Sequence, residues 1–298
     1  MSRLDEYLDR QRQQINAALG EVFPEDPAHP HRLIEAVRYG LLDGGKRLRP
    51  ILVLAACEAA GGAASDAMPA ACALEMIHAY SLIHDDLPAM DDDALRRGRP
   101  TTHIAFGEDV AILAGDALLT EAFALLARAA LQRSDPRRML AAMAEIAAAA
   151  GAHGMVGGQA ADLAAEGQAV DLATVEYIHV RKTGALLLAA VRSGAQLGGA
   201  DATTLQRLTR YGECVGLAFQ IADDILDAEG ETAQTGKAVG RDQALHKATF
   251  PAVLGMPAAK ARLRELREQA LQALAPLPQA ADPLRDLVHF VVARAVGG

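Results

Sequence analysis

The sequence predicts an all-α protein organised as one domain over residues 1–298. Three observations carry that expectation. Alanine and leucine dominate a chain that is 51% hydrophobic, and both favour helices. Aromatic residues make up only 4% and Trp is absent, a composition unlike that of a sheet protein. The alternation of strand and helix that marks a parallel sheet is missing, while stretches such as 186–191 (LLLAAV) are apolar on most of their circumference and must lie among other helices. No linker, fixed-period repeat or low-complexity tail divides the chain.

Residues 2–20 are amphipathic, with Leu4, Leu8, Ile15 and Leu19 at helical spacing. Pro24, Pro27 and Pro30 interrupt the chain. A second helix over 31–43 stops at Gly44-Gly45, and a third over 47–61 stops at Gly61-Gly62. Asp66 is positioned to cap a fourth, which runs through Leu74, Ile77 and Leu82 into a run of aspartates. A polar loop is expected over 92–106, then helices over 109–132 and 136–151, the latter starting from a capping Asp135 and Pro136 at the first helical position. Asp171 would cap a long helix to about 197, with Gly184 marking a kink. Helices over 201–228, 241–254, 258–274 and 282–295 complete the chain.

A formal net charge of −9 disfavours broad nucleic-acid binding, so an anionic ligand would have to be held by a local basic cluster or by metal ions. Cys57, Cys72 and Cys214 form no CxxC and sit in apolar helical contexts, as buried thiols of a reducing cytoplasm do. The charged N-terminus is no signal peptide, and no stretch approaches the ~20 uninterrupted apolar residues of a membrane span.

Charge is concentrated in two acidic segments. SLIHDDLPAMDDDALRRGRP (81–100) holds Asp85, Asp86, Asp91, Asp92 and Asp93, followed by Arg96, Arg97 and Arg99. FQIADDILD (219–227) holds Asp223, Asp224 and Asp227. Positions four apart share a helical face, so Asp223 and Asp227 point together and Asp224 lies on the flank. Asp91 would not share a face with Asp85 on an unbroken helix, and Pro88 disfavours one. A helix ending near Asp86, with the chain curling so that Asp91 returns toward the same cation, satisfies both facts. Like charges on one face repel unless a cation lies between them. Oxygen ligands without His or Cys suit Mg²⁺, which takes one or two carboxylates together with water and phosphate.

The basic residues are grouped as well. Lys46, Arg47 and Arg49 stand at a glycine-flanked helix start, Lys182 and Thr183 inside an apolar helix, and Lys237 and Lys247 in and after a glycine-punctuated loop. This exceeds what one metal-bound diphosphate needs and suits two phosphorylated ligands, one held through metal and aspartate, one by arginine and lysine directly. His78, two turns before Asp85 on the same face, is a candidate to enter the cavity, while His84 packs or braces. No Ser-His-Asp set or HExxH is present.

GGKRLRP, HAYSLIHDDLPAMDDDALRRGRPT, RKTG, FQIADDILD and the GK followed by KATFP, in this order over about residues 35–255, resemble the head-to-tail trans-isoprenyl diphosphate synthases, most closely bacterial farnesyl diphosphate synthases. The resemblance implies a single-domain bundle of mostly antiparallel helices around a deep central cavity, usually a homodimer. It implies that Asp85, Asp86, Asp91, Asp223 and Asp227 hold Mg²⁺ on an allylic diphosphate, and that Arg96, Lys182, Lys237 and Lys247 serve that same diphosphate. Gly45, Lys46, Arg49, His78 and Arg97 would bind isopentenyl diphosphate, and Thr183 and Gln220 would lie beside the allylic carbon. The implied reaction is ionisation, condensation and proton loss, with no protein nucleophile. Tyr80, with small Ser81 beside it, stands where an aromatic residue is associated with stopping at fifteen carbons, or is plain core. Geranyl or geranylgeranyl diphosphate are the alternative products. A class I terpene cyclase and a non-catalytic regulatory subunit are the remote alternatives, disfavoured by the intact second aspartate motif and the second basic cluster. His246 departs from the small residue often found before Lys247.

Overall fold

The computed structural model describes residues 2–24, 31–42, 44–168, 170–229 and 249–296. Their helices, numbered in chain order, are α1 (Arg3–Val22), α2 (His31–Leu42), α3 (Leu48–Ala59), α4 (Ala64–Asp85), α5 (Thr102–Phe106), α6 (Glu108–Leu131), α7 (Arg137–Ala150), α8 (Met155–Ala165), α9 (Leu172–His179), α10 (Ala185–Leu197), α11 (Ala202–Glu229), α12 (Phe250–Leu254), α13 (Met256–Leu274) and α14 (Asp282–Val296). The all-α expectation holds. The extended structure among the described residues is a two-residue hairpin, β1 (Leu95–Arg96) and β2 (Arg99–Pro100).

Short connections make successive helices antiparallel neighbours. α3 packs on α4, α10 on α11, and α13 on α14. α4 lies against α6 and α3, and α10 runs among α3, α7, α4 and α11. The apolar circumference predicted for 186–191 is explained by that position: Leu186, Leu187, Ala189, Ala190 and Val191 are buried. Gly194 allows α10 to touch α3, since a Cβ there would stand 2.1 Å from the Val53 carbonyl oxygen.

Several boundaries differ from the sequence expectation. α4 begins at Ala64 with Ala63 as its cap, leaving Asp66 in the first turn, where the positive end of the helix dipole favours it. Pro136 is itself the cap of α7, and Asp135 accepts from the Arg137 N–H at 3.1 Å. The loop expected over 92–106 contains the hairpin and α5. Residues between the helix expected over 136–151 and the one expected from Asp171 form a further helix, α8. The long helix expected from Asp171 to 197 is divided by a π-helical turn at Val180–Gly184. Of the helix expected over 241–254, residues 241–248 lie outside the described residues.

Arg47 anchors the loop between α2 and α3. It is buried at 4% exposure, donates to Glu75 at 2.7 Å, to the Asn16 side-chain oxygen at 2.9 Å and to the Leu41 carbonyl at 2.8 Å. A charge left alone there would be costly. Glu75→Ala should therefore destabilise the protein by ~3–5 kcal/mol, the usual cost of breaking a buried pair from one side. Chemical denaturation would show this as a fall in midpoint.

Candidate active site

The site is built on helix ends. α4 is buried along most of its length, then runs out at Asp85 with Asp86 as its cap. The chain then curls back: the Asp91 N–H donates to the Asp85 carbonyl at 2.9 Å and the Asp93 N–H to the Asp86 carbonyl at 3.1 Å. The return of Asp91 toward Asp85 is thus a backbone hydrogen bond closed across Pro88.

The two adjacent aspartates have different surroundings. Asp86 is buried and engaged by Arg96, whose Nε lies 3.0 and 2.9 Å from its two oxygens and whose Nη2 lies 2.6 Å from Oδ1. Asp93 stands 4.0 Å from Arg96, which makes it a brace for that arginine. Asp85 stays half-buried. Burial pushes its pKa up to about 6; Lys182 pulls it down, Asp91 up, Arg96 down and Asp86 up. On α11, Asp223 and Asp227 are half-buried while Asp224 turns inward. The shared face of Asp223 and Asp227 is as expected, and Gln220, half-buried, precedes Asp223 by one turn.

Lys182 and Thr183 sit on the π-helical turn, a wider turn found often at functional sites. Glycines hold it from two sides: a Cβ at Gly158 of α8 would stand 2.2 Å from the Lys182 backbone nitrogen, and one at Gly216 of α11 3.2 Å from the Gly184 Cα. Lys182 Nζ donates to Asp162 of α8 at 2.6 Å. Burial disfavours the ammonium, but Asp162, with Asp85 and Asp91, more than offsets this and holds its pKa above the ordinary value.

The basic cluster lies near Asp223. Burial pulls Arg49 down while Glu75 and Asp223 hold it up. Lys46 is lowered by burial and by Arg294, with Asp223 opposing and Arg97 reinforcing. His78 is held well below its usual range by burial and then by Arg49, Arg97, Arg96 and Arg47, so it stays neutral. Gly45, at φ +112, leaves room for Arg97, whose Nη1 would be 2.8 Å from a Cβ there. Arg97 and Gly98 form the hairpin turn, both at positive φ. Tyr39 of α2 clamps that hairpin, its hydroxyl donating to the Pro100 carbonyl at 2.6 Å and its ring lying under Arg99. The described non-glycine residues at positive φ are Arg47, Asp92 and Arg97, all in these loops, where strained backbone is characteristic of function.

Gly45, Lys46, Arg49, His78 and Arg97 therefore gather into one region with Asp223 beside it. Asp85, Asp91 and Lys182 gather into another. Asp86 and Arg96 are joined to each other. Lys237, Lys247 and His246 lie outside the described residues. Tyr80 is buried, edge-on to His84 with ring centroids 5.7 Å apart, and Ser81 donates to the His78 carbonyl. Sequence reasoning missed Asp162, Gln159, Arg294 and His179. Both amide atoms of Gln159 and the Nε of Arg49 are buried without a hydrogen-bond partner among the described residues, a state that costs ~1–3 kcal/mol per group and favours a polar ligand.

Among the described residues no three metal-binding side chains form a ready cluster. Mg²⁺ takes only one or two carboxylates together with water and phosphate, so the carboxylates present can be tested against it by their chemistry alone. The donors offered by Asp85, Asp91, Asp223 and Asp227 are hard carboxylate oxygens, the type Mg²⁺ takes.

Residues 30–282 match the family model described as polyprenyl synthetase. The chain belongs to that family. It is thus a trans-prenyltransferase, of a family that uses isopentenyl and allylic diphosphates. It is 48% identical over 260 residues to the farnesyl diphosphate synthase of Geobacillus stearothermophilus, covering 87% of each chain. It is 46% identical over 290 residues to the chloroplastic geranylgeranyl pyrophosphate synthase of Capsicum annuum, covering 97% of this chain and 78% of that one. Among solved structures, an FPP/GFPP synthase from Zymomonas mobilis superposes with a TM-score of 0.87 at 40% identity, covering 97% of this chain and 99% of that one.

The Asp85 shift has a consequence for stability. A folded pKa near 6 against 3.8 unfolded means the ionised carboxylate opposes folding. The penalty is absent below the unfolded value, grows as pH rises between the two, and is complete above 6. In metal-free protein Asp85→Asn should gain about 1–3 kcal/mol at pH 8 and nothing near pH 3.5. Thermal unfolding of both proteins in chelator across that range measures it. The same variant should lose turnover, trading function for stability.

Proposed function

We propose that the protein is a Mg²⁺-dependent head-to-tail prenyl diphosphate synthase that condenses isopentenyl diphosphate with dimethylallyl and geranyl diphosphates and releases mainly farnesyl diphosphate. The observation that carries this reading is the pairing of two differently built anion regions: carboxylates with Lys182 on one side, and Lys46, Arg49, Arg97 and neutral His78 on the other.

Asp85, Asp91, Asp223 and Asp227 would hold the metal. Bound Mg²⁺ would draw negative charge onto the departing diphosphate and so ease cleavage of the allylic C–O bond. Lys182, fixed by Asp162, places an ammonium beside the same phosphates. Arg96 presents its remaining donors from a guanidinium already oriented by Asp86. Thr183 and Gln220 would supply oxygen atoms near the carbon where positive charge develops. Arg49, Lys46 and Arg97 orient isopentenyl diphosphate so that its double bond meets that carbon, and the proton then leaves to the released diphosphate. The apolar wall of α4 excludes water from the cation.

Tyr80 supports a farnesyl product. It fills the space one turn and a half above Asp85, backed by His84, whose Nε2 donates to the Ile112 carbonyl at 3.1 Å. The two relatives differ in product name, so the assay must read chain length directly. Incubation with Mg²⁺, isopentenyl diphosphate and allylic primers of each length, followed by chromatography of the dephosphorylated products, should give mainly the fifteen-carbon alcohol. Tyr80→Ala should extend it toward twenty carbons, and an unchanged profile would remove Tyr80 as the floor.

A homodimer is part of the proposal. α6 is 24 residues long with a mean hydropathy of 1.8, yet only a third of its most apolar window is buried. Ile112 and Leu113 are exposed on it, as is Ile104 of α5. By composition α6 is long enough to cross a membrane, but it carries Asp109, Asp116 and Glu121, which lipid would penalise. A second copy covers such a face without that penalty. Leu113→Glu should shift the protein to monomer in light scattering. The free, buried Cys57, Cys72 and Cys214 agree with a cytoplasmic setting.

A further inference from the structure

Asp224 is the residue of the second aspartate motif that the mechanism does not use. It is only 5% exposed, and one oxygen, Oδ2, accepts from His179 Nε2 at 2.9 Å and from the Phe250 backbone N–H at 2.9 Å. His179 is itself 6% exposed and its ring lies 5.4 Å from that of Phe250. Three elements meet at this one oxygen. His179 is the last residue of α9, immediately before the turn that carries Lys182 and Thr183. Asp224 is flanked on α11 by Asp223 and one turn later by Asp227. Phe250 opens α12, where the described chain resumes after residue 229.

The first motif is built on the same plan. Its second aspartate, Asp86, is 3% exposed and paired with Arg96, while Asp85 beside it stays half-buried. In both motifs the second carboxylate is buried and engaged by a donor from another part of the chain.

We propose that Asp224 is a positioning residue: with His179 and the Phe250 amide it forms a latch that sets the distance between the lysine-bearing turn and the Asp223/Asp227 face, and it is not a metal ligand. The role of those faces rests on the function proposed above, but the latch itself can be read without it. A carboxylate oxygen that already accepts two hydrogen bonds in a buried site would have to give up both to reach a cation. A neutral amide oxygen can accept the same two bonds, so Asp224→Asn preserves the latch and removes the charge. Asp224→Ala removes both. His179→Gln keeps a donor for Asp224, and His179→Ala does not.

The first measurement is amide hydrogen exchange of metal-free, substrate-free protein. Phe250 should be protected in the wild type and in Asp224→Asn. In Asp224→Ala that protection should be lost while amides within α3 and α4 keep theirs. The second is turnover as a function of Mg²⁺. Asp224→Asn, whose amide oxygen accepts the same two bonds without the charge, should keep kcat within about fivefold at an unchanged half-saturating Mg²⁺. Asp224→Ala and His179→Ala should lose about a hundredfold in kcat, the scale of a 1 Å misplacement, and His179→Gln should recover most of it. A tenfold rise in the Mg²⁺ requirement of Asp224→Asn would make the residue a ligand and overturn the latch. Unchanged Phe250 exchange in Asp224→Ala would overturn it as well. A wild type that makes no prenyl product would refute the functional reading alone, and the exchange result would still decide the latch.

Discussion

Negative charge gathered at the C-terminal ends of two helices is the constraint on which the rest of the structure depends. Those ends already carry the negative pole of the helix dipole, so each added carboxylate costs ~0.3–1 kcal/mol where an acid at the other end would gain it. The chain offsets part of that cost with its own groups. Arg96 takes Asp86, His179 takes Asp224, and Lys182 stands near Asp85 and Asp91. The remainder shows in Asp85, which burial holds near a pKa of 6. A cation bound beside Asp85 would relieve that cost.

Positive charge is placed by a different device. Arg47, Arg49 and Arg97 lie close enough to His78 to keep it from protonating, Arg47 also opposes the charge of Arg97, and two of these arginines occupy left-handed backbone. The cost is met locally. Arg47 is neutralised by Glu75, Tyr39 holds the hairpin, and Gly45 leaves the volume that Arg97 fills. With Asp223 near Lys46 and Arg49, the acidic and basic regions share a border. Two anionic substrates held on either side of that border would meet with their reacting carbons between them.

How much was legible in the sequence follows from how far each signal reaches along the chain. Helical period and charge repulsion are local, so the shared face of Asp223 and Asp227 and the return of Asp91 could be derived from spacing. The glycines after Leu42 also pointed to the right loop, and RKTG to a helical segment. What could not be read depends on pairs distant in sequence. Asp162 is 20 residues from Lys182 and His179 is 45 from Asp224. Spacing alone cannot separate Asp85 from Asp86 either, because the difference is made by Arg96. α8 lies in a stretch to which no element was assigned; Gly157 and Gly158 are weak helix formers there, and Gly158 lets the helix reach the π-helical turn. The signal that was available is the Gln159–Asp162 spacing, two polar groups one turn apart in an alanine-rich stretch.

The same logic bears on product length. Tyr80 is a floor only if it cannot move, and its immobility is supplied by α6. His84 lies edge-on to Tyr80 and is fixed by the Ile112 carbonyl, in a space that exists because residue 115 is glycine. A Cβ at that position would stand 2.1 Å from His84 Nε2, closer than side-chain atoms pack, so His84 would have to leave and Tyr80 would lose its backing. Tyr80 is therefore held in place jointly by α4 and α6. The adjoining turn of α6 exposes Ile112 and Leu113, the face assigned to the second copy. Whatever rests on that face also stiffens the helix behind His84. With the floor and the second copy proposed above, chain length and dimerisation would be coupled through one turn of α6, and a change confined to position 80 would test only half of the wall.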